Sequence, residues 1–238
     1  MPCLYLIPTP IAENAAHTIP PYVAEIVREL DTFIVERAKT ARHFVKSMEP
    51  VRPIQEMIFE EIEPGGHSTG KICEAARTVF REAIAAGKSV GLLSEAGCPG
   101  IADPGAGLVA MAHQDGVRVV PLVGPSSLLL AIMASGMNGQ SFTFHGYLSP
   151  KRLELARDLR RLEQTARQNK QTQLFIETPY RSQMVLETAL ESLSPDTRFA
   201  VAQDISGAGE LIRSLPISMW KKGQIPSLDK LPAVFLIG

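Results

Sequence analysis

The segment SEAGCPGIADPG, residues 94–105, follows directly on an apolar run, Val90 to Ser94, that reads as a buried strand. Three glycines and two prolines within it dictate a tight loop whose backbone can approach a ligand closely. Glu95 and Asp103 put carboxylates at its edges. A Gly/Pro loop is often no more than a surface turn, but this one is long and leaves a buried strand, where binding loops are found.

On the amino-terminal side, Leu4 to Ile7 is a short strand closed by Pro8-Thr9-Pro10. Val23, Ile26, Val27 and Leu30 recur at helical spacing, and Phe33 to Glu36 reads as a second strand. Ile72 to Ala86 is a helix ended by Gly87. Beyond the loop, Leu108 to Ala112 lies in a helix, and Val117 to Val123 is a strand as continuously apolar as parallel strands are. Strand and helix alternate, which predicts a mostly parallel sheet covered on both faces. The second half changes character. A helix runs from Ser127 to about Gly136, and a charged one from Leu153 to Gln168, with Leu155, Leu159, Leu162 and Ala166 on one face. A further helix covers Gln183 to Leu193; strands are expected at 142–148, 174–177, 199–203 and 234–237. This half reads as a mixed sheet. The expectation is two α/β domains, residues 1–123 and 124–238.

Composition narrows the classes. Hydrophobic residues are 45% and charged residues 21%, the make-up of a folded globular chain, and the formal net charge is −1. Any contact with nucleic acid must therefore come from local basic patches. Cys3, Cys73 and Cys98 form no C-x-x-C pair and read as free thiols of a reducing, cytoplasmic compartment. The five histidines show no metal-ligand spacing, so no metal is expected. No basic region precedes the first apolar run, so no signal peptide is expected. The longest apolar stretch, Leu122 to Met137, is broken by Gly124, Pro125, Ser126 and Ser127 and falls short of the ~20 residues a membrane span needs.

Ligands of open α/β sheets bind beyond the carboxyl ends of strands. Besides the 94–105 loop, three ends carry unusual chemistry: Pro8-Thr9-Pro10, Gly124-Pro125-Ser126-Ser127, and Glu177-Thr178-Pro179-Tyr180-Arg181. Either serine can cap the helix that follows, and free N–H groups there also suit a polar ligand edge. The sequence has no G-x-G-x-x-G, G-x-x-x-x-G-K-[ST] or G-x-S-x-G, which disfavours a Rossmann dehydrogenase, a P-loop NTPase and an α/β hydrolase.

LYLIPTPI (4–11), SEAGCPGIADPG (94–105), VVPLVGPSS (119–127) and IETPYR (176–181) stand in the order seen in the tetrapyrrole methylase superfamily. Within it they resemble most the branch that methylates a cytidine ribose 2′-hydroxyl of small-subunit ribosomal RNA. The resemblance implies two α/β domains with S-adenosylmethionine in the cleft between them, and a homodimer. By position, Pro10, Gly97, Cys98, Ile101, Asp103, Ser126 and Ser127 would hold the cofactor, with Glu177 and Ala233 on its adenine side. The chain also departs from the branch. Ala12-Glu13-Asn14 stands for Gly-Asn-Leu, and Glu36-Arg37-Ala38-Lys39-Thr40-Ala41-Arg42 replaces its acidic-Asp-Thr-Arg motif. The chain ends at Gly238, without the extension common in that branch.

A ribose hydroxyl must lose its proton as it is methylated, so a base within hydrogen-bond reach helps. Glu36 is the candidate base, and Arg42 or Lys39 the group that positions phosphate or stabilises the oxyanion. Equally, Glu36 could pair with Arg37, Lys39 or Arg42 on the surface. Residues 36–46 hold four Lys/Arg against one acid, and 151–170 seven against three. The second excess reads rather as a solvated helix face. Three activities are compatible with these residues: an RNA ribose methyltransferase, a methyltransferase for a tetrapyrrole or other small molecule, and a cofactor-binding protein without catalysis.

Overall fold

The short apolar runs of the first half lie side by side. In the computed structural model, which describes residues 1–63, 72–228 and 231–238, they are β1 (Cys3–Ile7), β2 (Thr32–Val35), β3 (Ile58–Glu61), β4 (Val90–Leu93) and β5 (Arg118–Pro121). They form one sheet in the order β3-β2-β4-β1-β5, with every pair parallel. Helices α1 (Pro21–Glu29), α2 (Ala38–Ser47), α3 (Glu74–Ala85) and α4 (Ala106–Gln114) connect them.

Alternate residues of a strand point to opposite faces, and the core divides accordingly. Ile7, Phe33, Val35 and Leu93 pack with Val23 and Val27 of α1 and Phe44 and Val45 of α2. Leu4, Ile34 and Leu92 pack with Ala76 and Phe80 of α3 and Leu108 and Met111 of α4. Each fully buried side chain such as Phe80 contributes on the order of 2–3 kcal/mol by leaving water.

Three details differ from the sequence reading. Helix α2 joins the layer, its Ala41, Phe44, Val45 and Met48 forming a buried stripe among charged neighbours. Strand β3 adds to the sheet edge, where four residues with Ile58 exposed carry too little pattern to be read as a strand. Strand β5 is also an edge: Val119 and Val120 are only partly buried, because β5 pairs with β1 alone.

Contact density divides the chain into residues Met1–Ser126 and Ser127–Gly238. The second unit comprises α5 (Ser127–Ser135), β6 (Phe142–Tyr147), α6 (Arg152–Asn169), β7 (Thr172–Glu177), α7 (Ser182–Ser192), β8 (Arg198–Gln203), β9 (Leu211–Pro216), α8 (Ile217–Trp220) and β10 (Ala233–Ile237). Its sheet runs β6-β7-β10-β8-β9; β6 and β7 are parallel and the other pairs antiparallel, so the sheet is mixed. Strand β9 was not legible, since Arg213 and Ser214 interrupt its apolar run. Leu155, Leu159, Leu162 and Ala166 of α6 pack on α7 and on the ring cluster Phe175, Phe199, Phe235 and Trp220. Phe175 and Phe235 stack at 5.3 Å, and the Trp220 indole N–H donates to the Phe199 carbonyl at 2.9 Å. Several cations on and beside α6 are held in ion pairs: Lys151–Glu154, Arg152–Glu191, Arg161–Asp158 and Arg167–Asp196.

Candidate active site

Parallel strands all end at one edge, and in the first unit the exits of β1, β2, β4 and β5 meet there. The first link joins β1 to the 94–105 loop. Thr9 N donates to the Gly97 carbonyl at 2.9 Å, and Gly97 N donates back to Thr9 O at 3.0 Å. The Thr9 side chain is buried, and its hydroxyl donates to Ser94 O at 3.4 Å. The loop then winds through left-handed backbone at Gly97, Gly100 and Gly105 (φ 77°, 80° and 140°), and even Ala102 sits at φ 64°. This is why the segment needs three glycines.

The exit of β5 closes against the same loop. The Cys98 thiol donates to Pro125 O at 3.5 Å, and burial pushes that thiol's pKa up, keeping it protonated. A Cβ on Gly124 would stand 2.2 Å from Pro8 Cβ, so only glycine lets the exits of β1 and β5 touch. Ile101 leaves an apolar side chain 52% exposed at the rim, a surface on which a ligand ring can rest.

The exit of β2 brings the acids. Glu36 N donates to Leu93 O at 3.2 Å, and the Glu36 carboxylate accepts from Glu95 N at 3.0 Å. The Thr40 hydroxyl, in the first turn of α2, donates to the Glu95 carboxylate. Burial, with the Glu95 charge adding to it, holds the Glu36 pKa above the usual carboxylate range despite that backbone bond. Asp103 is pushed up to about 6, first by burial and then by the Glu36 and Glu95 charges, with the Ser94 hydroxyl only partly offsetting them. An acid-rich rim over a glycine-lined backbone suits a ligand with a cationic centre and polar edges, and S-adenosylmethionine, with its sulfonium and ammonium, fits that donor set. Among the described residues no group of three His, Cys, Asp or Glu could hold a metal ion.

Of the sequence candidates, the structure brings Pro10, Gly97, Cys98, Ile101, Asp103 and Glu36 to this edge. Among the described residues no ion pair joins Glu36 to Arg37, Lys39 or Arg42. Arg42 instead lies along α2 with its guanidinium 5.3 Å from the Phe59 ring centre. Ser126 ends the first unit, and Ser127 is the first residue of α5. In the second unit Glu177 and Ala233 face each other in register across β7 and β10. The Glu177 carboxylate is buried; it accepts from Thr178 N at 2.6 Å and from the Arg181 guanidinium at 2.7 Å. Thr9, Glu95 and Thr40 stand inside segments already singled out, but the hydrogen bonds by which they hold the site together are not legible in the sequence.

A family model described as Tetrapyrrole (Corrin/Porphyrin) Methylases matches residues 4–219. Ribosomal RNA small subunit methyltransferase I of Vibrio cholerae is 29% identical over 91% of this chain and 69% of its own length. The protein of that name from Pseudomonas aeruginosa is 30% identical over 90% of this chain and 70% of its own. Two solved structures share the fold. The methyltransferase CobJ aligns with TM-score 0.60 at 18% identity over 100% of this chain and 94% of its own. Diphthine synthase aligns with TM-score 0.66 at 16% identity over 99% and 90%.

Proposed function

The chain belongs to the tetrapyrrole methylase family and is an S-adenosylmethionine-dependent methyltransferase; from that premise we propose that it methylates a ribose 2′-hydroxyl of small-subunit ribosomal RNA. The observation that carries the reading is Glu36, a carboxylate of raised pKa held by the Glu95 N–H at the mouth of the glycine loop. When bound, the cofactor supplies a methyl group already activated on a sulfonium. The protein then has to align the acceptor, exclude water and take up one proton. Pro10, Gly97, Cys98, Ile101 and Asp103 would hold the cofactor, with Ser126 and Ser127 at the next exit, and Glu177 and Ala233 are the residues we assign to its adenine part. Glu36 takes the hydroxyl proton, and Arg42 with Lys39 positions the phosphate next to the acceptor. Among the described residues no helix is long and apolar enough to cross a membrane. The substrate sets the place of action as the cytoplasm.

The working form is a homodimer. Helix α5 turns Leu129 and Met133, one turn apart, into solvent at 53% and 76% exposure, a surface that a second copy covers at low cost.

A small-molecule acceptor is the second reading, favoured by the net charge of −1. Incubation with a labelled methyl donor and total RNA from a strain lacking the gene decides between them. Label in small-subunit rRNA is the expected result. Label in a porphyrin-like extract and never in RNA would overturn the RNA reading.

A further inference from the structure

Helix α2 carries Lys39, Arg42, His43 and Lys46 at spacings of three and four residues, which puts all four on one side of the helix. Between Arg37 and Met48 there is no acidic residue. Among the described residues none of Lys39, Arg42 and Lys46 pairs with a carboxylate, whereas in α6 Arg152, Arg161 and Arg167 do, and Arg157 and Arg160 stand among neighbours that include Glu154, Asp158 and Glu163. The four α2 side chains form one wall of a groove of ≈ 750 Å³ within the first unit. Ala12, Phe44 and Ile54 contribute an apolar floor, and Pro10 and Thr40 also line it. Thr40 in turn donates to Glu95, whose N–H holds Glu36, so the Thr40 end of the groove adjoins the acidic edge.

A cationic wall and an apolar floor next to the candidate base are what a nucleotide strand requires: phosphates on one side, base faces on the other. From Lys39 to Lys46 the helix rises about 10 Å, enough to follow more than one phosphate. The guanidinium of Arg42, steadied over Phe59, is presented as a plane against which a base can stack. A duplex hides its base faces, whereas an unpaired strand exposes them. We infer that the α2 groove is the track for the single-stranded RNA flanking the acceptor nucleotide, with Lys46 at the end remote from the reacting centre. This rests on the RNA reading above and adds to it the strandedness of the substrate and its path.

The test is binding of a short fluorescent single-stranded RNA of small-subunit rRNA sequence to the full chain, over a range of salt concentrations. It compares the wild type, Lys46→Glu and Lys39→Glu with Lys46→Glu, with S-adenosylmethionine calorimetry as the control for folding. With three cations engaged, the wild-type plot of log affinity against log salt has a slope of about −2, and each lysine removed lowers its steepness by about 0.7. Lys46→Glu should weaken RNA binding while cofactor affinity stays unchanged, and a duplex of the same sequence should compete poorly. Variants that bind RNA as the wild type does, or a duplex that competes equally, overturn the track and leave the methyltransferase reading standing. A wild type that ignores RNA but binds a polycarboxylated porphyrin overturns the track and the RNA reading together.

Discussion

The backbone N–H of Glu95 donates to the Glu36 carboxylate at 3.0 Å, joining the end of β2 to the second residue after β4. The bond fixes the carboxylate while burial and the Glu95 charge keep its pKa raised, which brings it closer to the range where a general base works best. Glu36→Gln keeps an oxygen for the Glu95 N–H and removes the base. Methyl transfer should fall by about 10²–10⁴-fold with cofactor affinity unchanged, as read by single-turnover assay and calorimetry. Full activity in the variant would make Glu36 a purely structural link.

Asp103 makes stability fall with pH in an unusual window. Its folded pKa is raised from 3.8 to about 6, so between those values the folded state binds more protons than the unfolded state. Stability of the ligand-free protein therefore declines as pH rises from about 4 through about 6. Asp103→Asn should flatten that decline in thermal melts taken across the range. A cationic ligand beside Asp103 pulls its pKa back down. Calorimetry near pH 6 in buffers of different ionisation enthalpy should therefore show protons released when S-adenosylmethionine binds.

Gly124 and Pro8 leave no room for a methyl group between them. Gly124→Ala places a Cβ 2.2 Å from Pro8, and overpacking of this kind costs about 1–3 kcal/mol, measurable by urea denaturation. Gly139, with nothing within 4 Å of its would-be Cβ and no left-handed φ, is the control: Gly139→Ala should be near neutral.

Arg181 neutralises Glu177, whose side chain is 1% exposed. Arg181→Ala strands that carboxylate and should cost about 3 kcal/mol, the lower end for a broken buried pair because Arg181 itself is partly solvated. Glu177→Ala combined with Arg181→Ala should cost clearly less than the two single changes added. Additive costs would mean that the two side chains do not interact.

Met133→Glu, or Leu129→Glu, puts a charge on the exposed face of α5. Sedimentation should show a dimer for the wild type and a monomer for either variant, with the melting temperature of the monomer little changed. A wild-type monomer would remove the proposed dimer altogether.

Much of the frame is legible in the residues alone. Apolar runs at strand length alternating with helical spacing led to a parallel sheet and then a mixed one, because burial on two faces or one leaves a periodic mark in the residues themselves. The three glycines of 94–105 announced a bent backbone, since residues without a Cβ most readily adopt the φ found there. The elements that escaped were those whose burial depends on remote partners. Strand β3 is four residues at an edge, β9 is interrupted by polar residues, and the stripe of α2 was masked by the basic residues between its apolar ones.

The sequence by itself determined the family, the glycine-bent loop at 94–105 and the presence of acids and cations near the second strand. It could not say which of them pair, because pairing depends on distances between residues far apart in the chain. Arg42 was as eligible a partner for Glu36 as any cation nearby, yet it lies over Phe59, while Glu36 takes the N–H of a residue fifty-nine positions away. The same holds for the two basic segments. Along α6, acids from α7 and the following turn pair with Arg152 and Arg167; along α2 no described acid does so, and only the folded chain decides which cations are paired.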